Sequence, residues 1–342
     1  MTDAKVRFAV IGCGRISQSH FNAIRQAPDA ELAAVCDIVA AKAANAAQDN
    51  HLRRWYTNIS AMLENENIDV VDICLPSGIH CENAVIAAKA GKHVLCEKPL
   101  DITREKMSLM IETCRKQGVL LGGIFQRRTC SAAIDTKKAL AANKIGRLVM
   151  GSAYLKYYRD QKYYEADSWR GTWNLDGGGA LMNQGVHGID LLQWMAGDIS
   201  SVCAFCGTLA RNIEVEDTAV AAIKFKNGAM GVIEGATSVY PGQDTILSLN
   251  GDKGTISFAD DQFLQWEFMD SRETPPEIKY GLGGKNCGWT DGNEGHTVLI
   301  QDMAEAVLNG REPMIPGVEA RKAVDVILAI YESARTHREI YL

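Results

Sequence analysis

The sequence predicts an α/β protein, with an N-terminal Rossmann-type doubly wound parallel sheet and a C-terminal α+β domain on a large, mostly antiparallel, open-faced sheet. Three observations predict this fold. Short apolar runs alternate with helical stretches up to about residue 125, strand-like runs then follow one another directly, and a glycine-rich turn follows the first apolar run. We therefore expect two domains, 1–125 and 126–342, and the final helices could pack back on the first domain.

The first 125 residues alternate predicted strands and helices. The strand-like runs are short and apolar throughout, as in a parallel sheet that is buried on both faces. Short links join them to the helical stretches, which is typical of a doubly wound sheet. The predicted strands are Phe8–Ile11, Leu32–Cys36, Val70–Leu75, His93–Cys96 and Leu120–Phe125, and the predicted helices are Ile16–Gln26, Val39–Gln48, His80–Ala90 and Arg104–Gln117.

In the second part, strand-like runs follow one another with few helices between them. Gly146–Tyr158 is long and extended, and the cluster Gly177–Gly179 opens a helical run to Met195. Turn sequences such as Lys226-Asn227-Gly228 join the later strands, which favours one mostly antiparallel sheet. Those strands are Ile199–Leu209, Ala219–Phe225, Met230–Thr237, Ile246–Asn250 and Gly254–Phe258, followed by a long loop over Asp270–Gly295 and two closing helices, His296–Leu308 and Gly317–Arg335.

Composition and charge exclude several classes of function. The 36 basic and 42 acidic residues give a formal charge of −6, so nothing favours nucleic acid or an anionic membrane as a partner. No stretch approaches the ~18 apolar residues of a membrane span, and the N-terminal residues lack the pattern of a secretion signal. The ten cysteines lie mostly in apolar contexts, as free thiols do in a reducing compartment. We therefore expect a cytoplasmic protein without a metal site.

The turn after the first strand has the pattern of a dinucleotide-binding site. Gly12-Cys13-Gly14-Arg15-Ile16-Ser17 leads from that strand into the first helix. Glycines in this setting allow a tight turn and let backbone N–H groups approach a pyrophosphate at the helix N-terminus. Asp37 ends the second strand, where a carboxylate accepts hydrogen bonds from a ribose diol and repels a 2′-phosphate. The pattern predicts NAD as the cofactor and makes NADP less favoured.

Two further clusters carry groups suited to acid–base chemistry. Cys96-Glu97-Lys98-Pro99 follows a predicted strand at the sheet edge where doubly wound proteins bind ligands. Asn183 and His187 are four residues apart, and therefore on one face of the predicted helix. A single lysine before proline, or a single helical histidine, is more often structural. Their combination with the nucleotide motif indicates a catalytic site.

Together these motifs resemble the glucose–fructose oxidoreductase, inositol dehydrogenase and rhizopine-catabolism family, Gfo/Idh/MocA, over essentially the whole chain. Within the family, Trp169–Asp190 and Leu209–Asp217 are similar to UDP-N-acetyl-glucosaminuronate 3-dehydrogenases and related sugar 3-dehydrogenases. The resemblance implies an NAD-dependent oxidoreductase that transfers a hydride between nicotinamide and a ring-hydroxyl carbon, at C3 in that branch, of a sugar, glycoside, uronate or UDP-sugar. The segments that carry it are Phe8–Ser17, Leu75–His80, Glu97–Pro99, Trp169–Gly171, Gly177–Asp190 and the final helix.

The resemblance also implies roles for individual residues. Lys98 and His187 would flank the reacting carbinol; we expect His187 to be the base and Lys98 to polarise the oxygen or relay the proton, with the reverse assignment open. A cis Lys98–Pro99 peptide bond is implied as well. Asn183, Tyr157, Tyr164 and Arg170 would bind substrate, although packing between sheet and loop is an equal alternative for the tyrosines. The cofactor residues would be Gly12, Gly14, Arg15, Ile16, Asp37, Pro76, Ser77, His80, Glu97, Lys98, Gln126, Trp169 and Arg170.

Two nearby positions qualify this assignment. Inositol-dehydrogenase-like members place a carboxylate where this chain has Asn183, and an amide cannot take a proton, which disfavours inositol as the substrate. Asp190 could steady the His187 imidazole, or could instead face solvent or cap the helix.

Alternatives to a simple sugar dehydrogenase remain at this stage. They are an inositol dehydrogenase, a redox-neutral lyase or glycosidase that retains NAD and passes through a transient 3-keto sugar, and a non-catalytic NAD sensor. A sensor needs neither Lys98 nor His187, so their presence disfavours it. As partners we expect a small sugar or nucleotide-sugar and further copies of the chain. A homodimer or homotetramer is implied because, in relatives, the open sheet face packs against its copy.

Overall fold

The computed structural model describes residues 5–260, 262–278 and 294–342. By its internal contacts the chain separates into two units. Unit 1 comprises Met1–Gln126 and Gly292–Arg321, and unit 2 comprises Arg127–Asp291 and Lys322–Leu342. The late segment before residue 322 thus belongs with the N-terminal part of the chain.

Unit 1 is built on a five-stranded parallel sheet, as predicted. Its strands are β1 (Val6–Ile11), β2 (Ala30–Cys36), β3 (Val70–Ile73), β4 (His93–Cys96) and β5 (Leu121–Gly123). Their order in the sheet is β2-β1-β3-β4-β5, so the chain reverses its direction of strand addition beside β1. All four residues of β3 are buried, as expected for a parallel sheet with both faces covered.

The helices of unit 1 connect these strands. They are α1 (Ser17–Gln26), α2 (Ala40–Asp49), α3 (Ile59–Asn65), α4 (His80–Lys89), α5 (Arg104–Gln117) and, from the late segment, α9 (Glu294–Asn309). Local sequence explains the ends of α5, because Thr103 accepts a hydrogen bond from the Lys106 amide and Gly118 adopts the left-handed conformation at φ 67°. The seven-residue α3 was not predicted.

Unit 2 is built on an eight-stranded sheet in the order β12-β11-β10-β6-β9-β8-β7-β13. Its strands are β6 (Leu148–Lys156), β7 (Ile199–Gly207), β8 (Thr218–Phe225), β9 (Met230–Ala236), β10 (Ile246–Gly251), β11 (Gly254–Phe258), β12 (Phe263–Phe268) and β13 (Ile340–Tyr341). Only β6 and β9 pair in parallel within the described part of this sheet. The mostly antiparallel sheet is therefore confirmed, whereas β12 and β13 were not foreseen.

The helices of unit 2 include the element that carries the predicted catalytic histidine. A π-helix, Ala180–Gly185, leads directly into α8 (Val186–Ala196). The other helices are α6 (Ser131–Ala141), α7 (Gln161–Glu165) and α10 (Gly317–Thr336), which crosses from unit 1 into unit 2. Along β8 buried and exposed residues alternate strictly after the first residue, so this strand has one covered and one open face.

Three further findings bear on the sequence predictions. Residues 271–278 lie in no helix or strand, and the predicted loop from 279 to 293 lies outside the described residues. None of the helices in the described ranges is long and apolar enough to cross a membrane. The nine cysteines in those ranges are all free thiols.

Candidate active site

The two glycines after β1 have different surroundings. Gly12 has a φ of 91°, and a Cβ at this position would lie 2.4 Å from the Cys74 carbonyl oxygen, so no side chain fits. A Cβ at Gly14 would meet no protein atom within 4 Å. Ser17 donates a hydrogen bond to the Gly14 carbonyl at 2.6 Å, and no side chain caps the start of α1 at Ile16. The turn thus packs tightly on one side and is open at Gly14.

The Asp37 carboxylate is fixed beside this turn. Its Oδ2 accepts a hydrogen bond from the Cys13 amide, and its Oδ1 accepts one from the Val39 amide, both at 2.8 Å. A carboxylate offers more than two acceptor positions, so it can also accept from a ribose diol. The open turn and this carboxylate have groups suited to the adenosine diphosphate half of NAD, and the assignment of these residues to the cofactor stays a prediction.

The segment after β3 is held by His80. The ring of His80 is fully buried, with Nδ1 2.9 Å from the Pro99 carbonyl oxygen and Nε2 2.8 Å from that of Leu75. These contacts join the loop after β3, which contains Pro76 and Ser77, to the loop after β4. They favour a role for His80 in shaping the loop over direct contact with the cofactor.

Glu97 and Lys98 follow β4, and the Lys98–Pro99 peptide bond is cis, as the family resemblance implied. Lys98 is half-buried. Its backbone amide donates to Glu97 Oε2 at 2.9 Å. Glu97 is only 5% exposed and is buried among histidines, so its side chain is engaged within unit 1.

A buried histidine that sequence reasoning missed holds Glu97. His20 Nε2 lies 3.0 Å from Glu97 Oε1, and His20 Nδ1 lies 2.7 Å from Asp72 Oδ2. Burial alone would lower the pKa of His20, but the Asp72 carboxylate more than offsets this effect and holds the pKa well above its usual value. Burial alone would raise the pKa of Glu97, but hydrogen bonds from His20 and His296 hold it well below its usual value.

The same cluster contains three groups with metal-ligand chemistry. Ligand atoms of His20, Glu97 and His296 lie within 4.8 Å of one another. Both ring nitrogens of His20 already face carboxylates, as in an imidazolium, and an imidazolium cannot bind a metal. The geometry therefore favours a proton-bridged ionic cluster.

In unit 2 the π-helix and α8 carry Asn183 and His187. His187 is the second residue of α8 and is 7% exposed. Asn183 lies in the π-helix and is half-buried, and its amide nitrogen donates to Asp176 Oδ1 at 2.7 Å. Short π-helical segments are frequent at functional sites, and this one was predicted only as ordinary helix.

Asp190, three residues after His187, forms a buried bidentate ion pair. Arg128 Nε and Nη2 donate to its two carboxylate oxygens at 2.7 and 2.6 Å. The side chains of Arg128 and Asp190 are 6% and 2% exposed. The structure therefore excludes the solvent-facing alternative for Asp190.

Trp169 and Arg170 form an aromatic and cationic group with Tyr163. The Arg170 guanidinium carbon lies 4.4 Å from the centre of the Tyr163 ring and 4.9 Å from that of Trp169. Arg170 also donates to the Tyr163 hydroxyl. Gln184, in the π-helix, donates to that hydroxyl at 2.7 Å. Tyr163 thus joins the Trp169–Arg170 segment to the helix that leads to His187.

The two predicted substrate tyrosines, Tyr157 and Tyr164, have hydroxyls that are paired within unit 2. The Tyr157 hydroxyl lies 2.7 Å from Thr245 Oγ1, and burial raises the pKa of Tyr157. The Tyr164 hydroxyl lies 2.7 Å from Thr237 Oγ1, and burial raises the pKa of Tyr164 to about 12. Tyr164 is only 6% exposed. Burial favours a packing role for Tyr164 over the predicted substrate contact.

A buried glutamate anchors the start of the π-helix. Glu216 accepts hydrogen bonds from the Gly179 and Leu181 amides at 2.8 and 2.9 Å, and from the Tyr331 hydroxyl at 2.8 Å. Burial raises the pKa of Glu216 to about 7. Sequence reasoning included this residue only within the resemblance segment ending at Asp217, because a single glutamate before a strand gives no signal of burial.

Comparisons with known proteins agree with this arrangement. The model described as "Oxidoreductase family, NAD-binding Rossmann fold" matches residues 6–124, and the one described as "GFO/IDH/MocA C-terminal domain" matches residues 134–257. The WlbA dehydrogenase from Bordetella pertussis, solved in complex with NADH and UDP-GlcNAcA, is 34% identical, with 99% of each chain covered and a TM-score of 0.88. Myo-inositol 2-dehydrogenase of Thermotoga maritima is 30% identical over 98% of both chains. D-glucoside 3-dehydrogenase of Escherichia coli is 30% identical over 74% of this chain and 77% of that protein.

Fold, nucleotide turn and relatives lead to one conclusion. The protein is an NAD-dependent oxidoreductase of the sugar and polyol dehydrogenase type. The chain belongs to the Gfo/Idh/MocA family.

Proposed function

We propose that this enzyme oxidises a ring hydroxyl, at C3, of a sugar that carries an anionic or nucleotide group, and that Lys98 and His187 both act on the reacting hydroxyl. The observation that carries the proposal lies in unit 1. Lys98 follows β4 at the same edge of the parallel sheet where the glycine turn follows β1 and Asp37 follows β2. An amine at that edge is where a doubly wound sheet brings side chains to a bound dinucleotide.

Each residue near the cofactor has a defined task. The amides of the Gly12–Ile16 turn bind the pyrophosphate, and Asp37 accepts hydrogen bonds from the adenosine ribose. Glu97 and the half-buried Gln126, at the end of unit 1, lie in the loops assigned to the nicotinamide half. NAD, when bound, supplies the hydride acceptor for the oxidation.

The proton of the hydroxyl follows a separate path. His187 accepts it as the O–H bond breaks and the carbonyl forms, while Lys98 donates a hydrogen bond to the same oxygen. The products are a keto sugar, NADH and one proton. In the reverse direction the two side chains return the proton to the carbonyl oxygen.

An exposed aromatic and cationic surface of unit 2 supports a nucleotide-sugar as the substrate. The guanidinium carbon of Arg211 lies 5.1 Å from the centre of the Tyr158 ring, and the Tyr158 and Tyr240 rings stack edge to face at 5.1 Å. Tyr240 is 79% exposed. Arg159 lies 5.4 Å from the centre of the Tyr163 ring, which continues the surface towards the π-helix. Exposed rings and guanidinium groups suit a base and its phosphates.

Inositol is the second candidate substrate. The likeness to the Thermotoga maritima myo-inositol 2-dehydrogenase favours it. The Asn183 amide disfavours it, because the family resemblance implies that inositol-dehydrogenase-like members carry a carboxylate at this position.

The test is a substrate panel of UDP-sugars, uronates, glycosides and inositols with NAD⁺, followed by absorbance of NADH. We expect turnover with one class of sugar, and a loss of ~10²–10⁴-fold in kcat/KM for K98A and for H187A. K89A, at an exposed lysine of unit 1, is the matched control and should behave as wild type. Near-wild-type rates for both K98A and H187A would exclude the proposed roles. Product formation without net NADH would instead indicate the redox-neutral lyase.

We also propose that the open face of the unit 2 sheet forms a homo-oligomer interface, in a dimer or tetramer. Phe205 on β7 lies opposite Val220 on β8, and these residues are 77% and 48% exposed. Met230 on β9 lies opposite Met150 on β6, and they are 57% and 47% exposed. Between these two pairs, Val220 lies opposite Glu234 and Lys224 lies opposite Met230, so the face carries both apolar and charged side chains. Exposed apolar side chains on a sheet face are typical of a protein interface. The free thiols support the proposed cytoplasmic location.

A further inference from the structure

A buried carboxylate that the sequence analysis did not single out, Asp176, joins two parts of the candidate substrate site of unit 2. Its Oδ1 accepts a hydrogen bond from the Asn183 amide nitrogen at 2.7 Å, and its Oδ2 accepts one from the Gly171 backbone amide at 2.9 Å. Asp176 is 1% exposed. Gly171 follows Trp169 and Arg170 directly, whereas Asn183 lies in the π-helix that leads to His187.

The backbone holds Asp176 in place. The amides of Asp176 and Gly177 both donate to the Thr172 carbonyl, at 3.2 and 3.1 Å, and close the turn between them. The Gly171 carbonyl accepts a hydrogen bond from the Glu214 amide at 3.1 Å, and this bond fixes the residue whose amide donates to Asp176. The backbone at residue 176 is therefore held by hydrogen bonds that do not involve Asn183.

The hydrogen bond with Asp176 fixes the orientation of the Asn183 side-chain amide. An ionised carboxylate has only acceptors, so the NH₂ group of Asn183 must face Asp176. The carbonyl oxygen then lies on the other branch of the side chain, and a carbonyl oxygen can accept two hydrogen bonds. The orientation of an asparagine amide follows from such a partner.

Resting on the proposed function, we propose that Asp176 is a positioning residue that orients Asn183, so that the substrate meets an uncharged hydrogen-bond acceptor at this point of the site. The acceptor receives a hydrogen bond from a substrate hydroxyl beside the reacting one. The negative charge stays one hydrogen bond away, buried on Asp176. Specificity at this position thus depends on a pair of residues and not on Asn183 alone.

The pair allows a swap in which the two side-chain hydrogen bonds described above for position 176 are kept. In D176N the new amide can still accept from Gly171, but its own NH₂ group faces Asn183. Asn183 must then turn over and offer a donor to the substrate, so we expect folding to be retained and kcat/KM to fall by ~10-fold or more. In D176N/N183D the amide now at position 176 donates to the carboxylate now at position 183. That carboxylate again offers the substrate an acceptor, so kcat/KM should recover most of the loss.

The experiment compares wild type, D176N, N183D and D176N/N183D by kcat, KM and thermal unfolding at pH 8. D198N, at a partly exposed carboxylate of the same unit, controls for the change in charge. N183D brings two carboxylates together and should lower the melting temperature, which the added D176N should restore. A D176N enzyme with wild-type kcat/KM, or a double variant no better than D176N, would overturn the inference while the proposed function stands. If wild type turns over nothing on the panel, the proposed function fails, and the melting temperatures alone test the pairing of Asp176 with Asn183. In that case, a melting temperature of D176N/N183D no higher than that of N183D would overturn the inference.

Discussion

At the residue scale, the two glycines of the first turn are constrained by different neighbours. Gly12 faces the protein, because the carbonyl of Cys74 occupies the space of a side chain, whereas Gly14 faces no protein atom. The fold thus requires glycine at position 12 but leaves room for a side chain at position 14, where we propose that the pyrophosphate approaches the turn. The sequence pattern predicted both as cofactor residues and could not separate these reasons.

Alanine substitutions separate the two. G12A should lower the free energy of unfolding by about 3 kcal/mol, since it combines a clash with an unfavourable positive φ. G14A should change it by less than ~0.5 kcal/mol but raise the Kd for NAD by ~10-fold or more, because the methyl group occupies the approach of the pyrophosphate. Urea unfolding and NAD titration measure both effects. A G14A protein that binds NAD like wild type would show that the turn does not hold the pyrophosphate.

Other residues of the site were beyond sequence reasoning for a physical reason. His20, Asp72 and Glu216 are buried polar side chains whose partners lie far away in the chain. A single sequence shows the polar residue but not the partner that makes its burial tolerable. The family resemblance implied that Glu97 is a cofactor residue, but nothing in the sequence indicated that it pairs with His20.

At the element scale, the strands and helices of unit 1 were predictable because apolar runs and helical stretches alternate there. The π-helix was not, since its residues Ala180–Gly185 continue the apolar pattern of α8 and only the backbone hydrogen bonds distinguish them. The short β13 was missed because two residues give no periodicity.

Glu216, which anchors the start of the π-helix, should make the free energy of unfolding depend on pH. Burial raises the pKa of Glu216 to about 7, from an ordinary value of 4.5. A carboxyl whose pKa is raised by folding contributes stability that is fully present below pH 4.5 and is lost as pH rises through about 7. E216Q should therefore remove part of the fall in unfolding free energy between pH 5 and 8.

Urea unfolding at pH 5, 6, 7 and 8 measures this dependence. The slope due to one group cannot exceed ~1.4 kcal/mol per pH unit. E216Q also loses one acceptor for the π-helix amides, so it should be less stable than wild type at pH 5, with the difference narrowing at pH 8. E165Q, at an exposed glutamate of the same unit, should parallel wild type. Parallel profiles for E216Q and wild type would contradict the account.

At the scale of the whole molecule, the surface that we propose for self-association is the open sheet face of unit 2. Its apolar side chains lie opposite one another on neighbouring strands, as Phe205 and Val220 do. The open face was expected from the family resemblance alone, and the strict alternation of buried and exposed residues along β8 is a finding of the structure. The number of copies depends on surface shape, which no pattern of single residues encodes.

A charge on this face should disrupt the proposed assembly. F205D places a carboxylate where a second sheet would pack, so light scattering after size exclusion should give a monomer, whereas wild type should give two or four copies. L109D, at an exposed leucine of α5 in unit 1, should assemble like wild type. A wild-type monomer, or an F205D protein that assembles normally, would rule out this face as the interface.

The fate of the hydrogen on the oxidised carbon tests the central claim most directly. A substrate identified on the panel, deuterated at that carbon, is incubated with NAD⁺ and the enzyme, and the reduced nicotinamide is analysed by mass spectrometry. The account predicts one deuterium in each reduced nicotinamide formed by wild type, and almost no reduced nicotinamide with K98A or H187A. Reduced nicotinamide without deuterium would contradict hydride transfer from the carbinol carbon.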